Sequence, residues 1–484
     1  MPRAVCLSAS VLLFAALPVL AQQPAVPASA DQPVLPVADY ARIETLGASD
    51  LSPDGRWVVY DVRRVSGGTE LHYRAVGASA EHAVPFAHDG AFTDNSRWLL
   101  YTITHDTTRA LRMQARRRRG PGGRPSAGSS ADSIHDAVGI VDLRSDTTTV
   151  LRDVQSFDLS EDGVHVALRR YPSKGAKGHG ADLVVRDLER GTDVTFGNVW
   201  DYAWSDDGAL LAMSIDVDGR TGNGVQVYDV ATGTIRSLDA SDMVYAGLQW
   251  RDHSHDLTAF RSRIDSAFAD TGYAVIAWRG VGTPRTTTQV YDFSTDSSAF
   301  LAGMRVAPYR VPEWSADGRT LFFGIAPREP KVHEPTGRPA AGDDATPARV
   351  EVWHWKALRE YHQQDREAQR DRQRTLLVAW SLASNRVVPL TDDYFADVQL
   401  ADSGQAAVVS DETPYFAEII SGRPYRDVYM VDMATGQRTK ALTKVPFAPS
   451  VSPTGRYLLY VQDGHWWSYD RTTGARANLT GGIP

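Results

Sequence analysis

One ten-residue pattern returns along this chain eight times, and it constrains the fold more than any other feature. It reads LSPDGRWVVY at 51–60, FTDNSRWLLY at 92–101, LSEDGVHVAL at 159–168, WSDDGALLAM at 204–213, WSADGRTLFF at 314–323 and VSPTGRYLLY at 451–460. Degenerate copies stand at 250–260 (WRDHSHDLTAF) and 400–409 (LADSGQAAVV). Taking the second residue of each copy as a marker (Ser52, Thr93, Ser160, Ser205, Arg251, Ser315, Ala401, Ser452), the steps are 41, 67, 45, 46, 64, 86 and 51 residues. The bare unit is therefore 40 to 50 residues long.

Each unit has the same internal grammar. An apolar residue and Ser precede an Asp-Gly turn, where Asp caps the bend and Gly accepts positive φ. A β-favouring run such as 56–60 follows. A further strand then ends in a second turn, as at 225–230 before Ala231-Thr232-Gly233, 428–433 before Ala434-Thr435-Gly436, and 466–470 before Thr472-Thr473-Gly474. A short last strand closes the unit, as at 234–238, 438–442 and 476–480. Four antiparallel strands per unit predict an all-β chain, a β-propeller of seven or eight four-stranded blades over residues 40–480. A single such sheet cannot cover both its apolar faces, so blades must stack, with Trp57, Trp98, Trp204, Trp250 and Trp314 as expected inter-blade core.

The long steps have visible causes. Residues 112–133, RMQARRRRGPGG onward in character, form a basic then Gly/Pro/Ser-rich insertion read as a solvated loop, with Arg116 to Arg119 able to meet an acidic surface. A second insertion spans 327–374, in which 350–355 has strand character and 356–374 is a charge-dense helical stretch. The extra length between Arg251 and Ser315 has no compositional explanation.

Residues 1–21 combine Arg3, an apolar run at 5–17 and the small-residue sequence Val19-Leu20-Ala21, the pattern of a secretory signal peptide. The run is too short and too interrupted for a membrane span, so no membrane association is expected after cleavage. Residues 22–39 read as a flexible lead-in, and 481–484 as a tail. The only cysteine, Cys6, falls in the leader, so a processed chain would have neither disulfides nor thiolate metal sites. Its expected location is the periplasm or the exterior. The formal charge of −8, spread along the chain, gives no basic surface for nucleic acid.

Chemistry is sparse. No G-x-S-x-G nucleophile elbow, P-loop, H-E-x-x-H or dinucleotide fingerprint occurs. His253-Ser254-His255-Asp256 has metal-like letters but occupies a blade turn; Asp216-Val217-Asp218-Gly219 opens like a calcium loop, yet its twelfth position is Val227. Asp411-Glu412 offers carboxylates to a cationic group or merely decorates a rim loop. These residues yield no catalytic, cofactor-binding or metal assignment, and no cofactor is expected.

The repeated S-P-D-G-R units resemble the TolB-like propeller repeat rather than the WD repeat. More narrowly, residues 180–229, 426–443 (RDVYMVDMATGQRTKALT) and 463–480 (DGHWWSYDRTTGARANLT) resemble the N-terminal propeller of exported bacterial serine peptidases of the prolyl oligopeptidase family. In that family the propeller filters peptides for an α/β-hydrolase domain that carries the catalytic serine, acid and histidine. The resemblance implies peptide substrates and a C-terminal α/β-hydrolase domain as partner, with no catalytic residue carried over because the sequence stops at Pro484, just after a blade. It reads as a truncated peptidase. The other classes left open are a stand-alone TolB-like interaction scaffold and a propeller enzyme with its site on the central channel.

Overall fold

The computed structural model describes residues 37–483 apart from 41, 66–67, 105–134, 174, 176–177, 332–358, 360, 395 and 420–421. The leader, the run Arg116 to Arg119 and the strand-like segment 350–355 lie outside the described residues. What is described is almost entirely antiparallel sheet. Six sheets contain one blade each: residues 44–85, 87–152, 245–291, 304–389, 397–445 and 450–478. The seventh sheet has seven strands and contains two blades, 154–199 and 199–240, which share the 13-residue strand Thr192–Trp204. The described residues thus form eight blades, numbered 1 to 8 in chain order, and both degenerate repeats form complete ones (5 and 7).

Burial falls across each blade from its second strand to its last. In blade 4 every residue of Leu210–Ile215 is buried, whereas the last strand, Thr234–Ala240, is largely exposed. A strand packed on both faces has no solvated side, which is why these second strands read as continuous apolar runs rather than as an alternation. The outer strands are open edges and carry threonines and charges instead, as in Thr147–Arg152 and Arg438–Val445.

The core is divided into clusters that each join two consecutive blades. Val59 and Leu71 of blade 1 meet Leu99 and Tyr101 of blade 2, and the same arrangement recurs through to Val408 and Val428 of blade 7 against Leu458 and Tyr460 of blade 8. Trp250 and Trp314 are buried in these clusters, and Trp57, Trp98 and Trp204 pack against them, as the repeat predicted.

Two long steps now have structural accounts. Blade 6 has a split first strand, Met304–Val306 and Glu313–Trp314, preceded by two 3-10 turns at Phe293–Thr295 and Ala299–Leu301; these account for the length between Arg251 and Ser315. In the second insertion the helix Tyr361–Arg372 buries none of its residues and is held by Arg359, which reaches both Glu367 and Asp371 (each 2.5 Å). Among the described residues no helix is long and apolar enough to cross a membrane.

Candidate functional site

The repeated serine explains the repeat. In blade 4 the Ser205 hydroxyl donates to Asp207 (2.7 Å) and accepts the Leu210 amide (2.9 Å), closing the turn that launches the second strand. Ser52 and Ser315 make the same pair of bonds, and Thr93 makes them with Asn95. These hydroxyls are buried, so the first amide of each second strand is satisfied inside the protein rather than by water. Burial works against the charge of Asp207 and Asp317, but the hydroxyl and amide donors around each outweigh it and hold both carboxyls below the usual range.

These turns interlock in series into a belt along one end of the propeller. The Asp54 amide donates to the Ser96 hydroxyl (3.0 Å), the Asn95 side chain to the Gly163 carbonyl (2.6 Å), and the Ser160 hydroxyl to the Gly208 carbonyl (3.3 Å). The Arg251 guanidinium donates to the Ala316 carbonyl (3.0 Å), the Ala316 amide to the Ser403 carbonyl (3.3 Å), and the Ser403 amide to the Pro453 carbonyl (3.0 Å). Gly208 is needed twice over: its φ is +70°, and a Cβ there would lie 2.2 Å from the Ser160 hydroxyl of the preceding blade.

The metal-like motif belongs to this belt. His253 lies 2.6 Å from Asp206 and His255 lies 2.8 Å from Asp207, so both imidazoles reach back to blade 4. Asp256 turns inward, paired with Arg251 at 2.9 Å and accepting the Gly280 amide. The four residues are therefore spread over two carboxylates and a buried ion pair instead of converging on one point. Asp216 is buried and accepts from Asn223 (2.9 Å) and the His179 amide (3.0 Å), which closes its loop internally. Glu412 is held by Arg426 at 2.8 Å, and Asp411 caps the Thr413 amide. Among the described residues no three His, Cys, Asp or Glu are grouped to hold a metal.

Beside the belt lies a cavity of about 670 Å³ between blades 5, 6 and 7. Trp250 and Trp314 form part of its wall, with Asp252, Glu313 and Asp402 at its rim. The charge of Arg251 is already matched by Asp256. Its lining holds no serine, cysteine or lysine; it offers the carboxylates of Asp252, Glu313 and Asp402, the His253 imidazole and the two indoles. On the inner wall of blades 3 and 4, Asp158 reaches solvent while its surroundings desolvate it enough to raise its carboxyl, and burial, with Asp158's charge adding to it, pushes Tyr202 up to about 12. Sequence reasoning missed these inner-wall residues because nothing in the repeat marks which polar side chain of a first strand faces the channel.

The two ends of the ring differ. Turns between first and second strands and between third and fourth strands are short and lie at the belt end, where Arg97 and Arg456 tie one to the other through Asp142 and Asp470. The hairpins between second and third strands lie at the opposite end. There the chain departs for both long insertions, after Ile103 and after Pro327, and there blade 7 carries the short helix Phe416–Ile419.

No family model matches the chain, and no curated protein sequence matches it. Solved structures similar to it include the β-propeller domain of the Trilobed protease from Pyrococcus furiosus, at 9% identity and a TM-score of 0.33 over 83% of this chain and 96% of that one. Others are the tricorn protease (11% identity, TM-score 0.32, 90% of this chain and 43% of that one) and a prolyl endopeptidase (11%, 0.36, 90% and 56%). The chain thus spans about half the length of the latter two. Its own seven antiparallel sheets establish the fold: the chain is a β-propeller.

Proposed function

We propose that this propeller is the peptide-gating and docking portion of an exported serine peptidase resembling the prolyl oligopeptidase family, working with an α/β-hydrolase domain whose nucleophile elbow these 484 residues do not include. The observation that carries the reading is the polarity of the ring. The belt end is a rim of short, mutually bonded turns, suited to a fixed aperture that passes an extended peptide and stops a folded protein. The opposite end, where the chain leaves for both long insertions and where blade 7 carries the helix Phe416–Ile419, is where a second domain would seat. The first strand, Glu44–Leu51, starts at that end, and the last, Arg476–Asn478, runs toward it, so a covalently attached domain would arrive there. Catalysis would belong to the partner: its serine attacks the peptide carbonyl with histidine as base, and the propeller supplies selection by size.

The gene read past the codon for Pro484 tests this. An in-frame continuation encoding G-x-S-x-G, then Asp and His, is the expected result. A stop codon overturns the reading and leaves an interaction scaffold of the TolB-like kind. The purified chain alone is expected to hydrolyse no fluorogenic proline-containing peptide, and turnover by it would point to a site on the channel instead.

A further inference from the structure

Both degenerate copies of the repeat border one cavity, that between blades 5, 6 and 7. In blades 4 and 6 the residue two places after the marker is an aspartate spent on its own turn: Asp207 accepts from Ser205, and Asp317 from Ser315. In blades 5 and 7 that place holds His253 and Ser403, and an acid stands one place earlier, as Asp252 and Asp402. Both of these carboxylates are exposed and line the cavity, and among the described residues neither has an ion pair or a side-chain hydrogen bond. A rule that serves folding is characteristically broken at functional sites. Here it is broken twice beside the same cavity.

The chemistry of the cavity points to one kind of occupant. Glu313 adds a third carboxylate from blade 6, and its ion pair with Arg310 is a loose surface one at 3.4 Å. The nearby cations are already engaged. Arg251 gives Nε and Nη2 to Asp256 and Nη1 to the Ala316 carbonyl, and His253 lies 2.6 Å from Asp206. Much of the remaining wall is apolar, made by the buried Trp250 and Trp314 with Val311 and Pro312. The three carboxylates are not grouped to hold a metal ion. What suits apolar walls with separated negative charges is an apolar stem ending in a diffuse cation, which is the build of lysine and arginine. The volume of about 670 Å³ lies in the range of sites that enclose small groups.

The wall that leads to the cavity has the same sign. Gln249 and Glu313 each stand two places before their markers, at the last step of a first strand before the belt. First strands lie innermost, and those of blades 1 and 2 and of blades 4 and 5 touch each other. Besides Glu313 they carry Asp50, Asp89, Asp158, Asp201 and Asp397. Among the described residues of these strands the one Lys or Arg is Arg305, which is buried and paired with Asp270 at 2.8 Å. A passage lined by one sign of charge concentrates ligands of the other sign and repels those of its own.

We infer that the cavity between blades 5, 6 and 7 takes the side chain of a lysine or arginine from an extended peptide, with Asp252, Glu313 and Asp402 around its charged head. The propeller thereby selects basic peptides as well as small ones. This names the substrate class for the gating reading and rests on it for the peptide's route past the belt. Binding is measured on this chain without a hydrolase, so the two can fail separately: lost binding leaves the peptidase reading standing, and a stop codon after Pro484 removes that reading but not the site.

The test titrates the full chain into a dye-labelled, end-blocked octapeptide with one central arginine and reads fluorescence anisotropy in ~50 mM salt, where surface charges are only partly screened. That peptide is expected to bind about tenfold more tightly than its citrulline counterpart, which keeps the stem and loses the charge. Asp252→Asn with Asp402→Asn should weaken the arginine peptide about fivefold and leave the citrulline peptide unchanged. Asp218→Asn with Asp463→Asn removes the same charge from exposed hairpins at the opposite end and should change neither. Asp252 and Asp402 are exposed and unpaired, so their double variant should melt within about 2 °C of the parent chain. Should it fail to fold, Glu313→Gln on blade 6 serves instead, with an expected loss of about threefold. Equal affinity for the arginine and citrulline peptides, no binding of either, or an equal loss in the two double variants would overturn the inference.

Discussion

A buried hydroxyl such as that of Ser205 has two duties, and removing it exposes both. Ser205→Ala strands the Leu210 amide and one Asp207 oxygen inside the turn, so we expect a loss of about 2 kcal/mol in denaturant unfolding. Acid should act on the same turns. Asp142, Asp162, Asp187, Asp207, Asp317 and Asp427 are all held below the ordinary carboxyl value of 3.8; burial opposes their charge, and the donors around each overcome it. A carboxyl with a depressed folded pKa adds stability that is fully present above its unfolded pKa and is lost as pH falls through the folded value. Asp61 and Asp158, raised by burial, act with the opposite sign but are outnumbered. Thermal melts from pH 7 downward should therefore change little until about pH 4 and fall steeply below it; a loss of stability already complete at pH 5 would show that other groups dominate.

At the scale of strands and turns, the serine, the Asp-Gly turn and the apolar run were legible because each does one local job in every copy. Trp250 was legible for the same reason: it is buried, and its indole donates to the Ala203 carbonyl of blade 4 (2.9 Å). Trp250→Ala should cost about 3–5 kcal/mol, measured by chemical denaturation. Two features were not legible. The shared strand Thr192–Trp204 has Asn198 at φ +58° where the pairing passes from blade 3 to blade 4, and a single asparagine between Gly197 and Val199 does not announce that. The pairing of His253 and His255 with Asp206 and Asp207 joins residues of separate repeats, so no local spacing encodes it. The helix Tyr361–Arg372 was visible as composition but its independence was not. Asp365→Pro should abolish that helix in far-ultraviolet dichroism yet change global stability by less than about 0.5 kcal/mol, because nothing in the helix is buried.

For the whole molecule, the difference between the two ends should govern where the ring tolerates change. A short Gly/Ser insertion between Asp463 and Gly464, a hairpin tip with open space around Gly464, is expected to leave the melting temperature within about 2 °C. The same insertion between Asp207 and Gly208 should unfold the protein well below physiological temperature, because it breaks a belt joint; comparable tolerance at both sites would refute the fixed-aperture view. The shared strand has a further meaning under mechanical load. Elsewhere a blade can be peeled away once its seam parts, since only a loop leads to the next. Blades 3 and 4 have one continuous strand hydrogen-bonded to both, so pulling on the chain loads them together in shear. They should give way as one rupture event that releases two blades' length of chain at once.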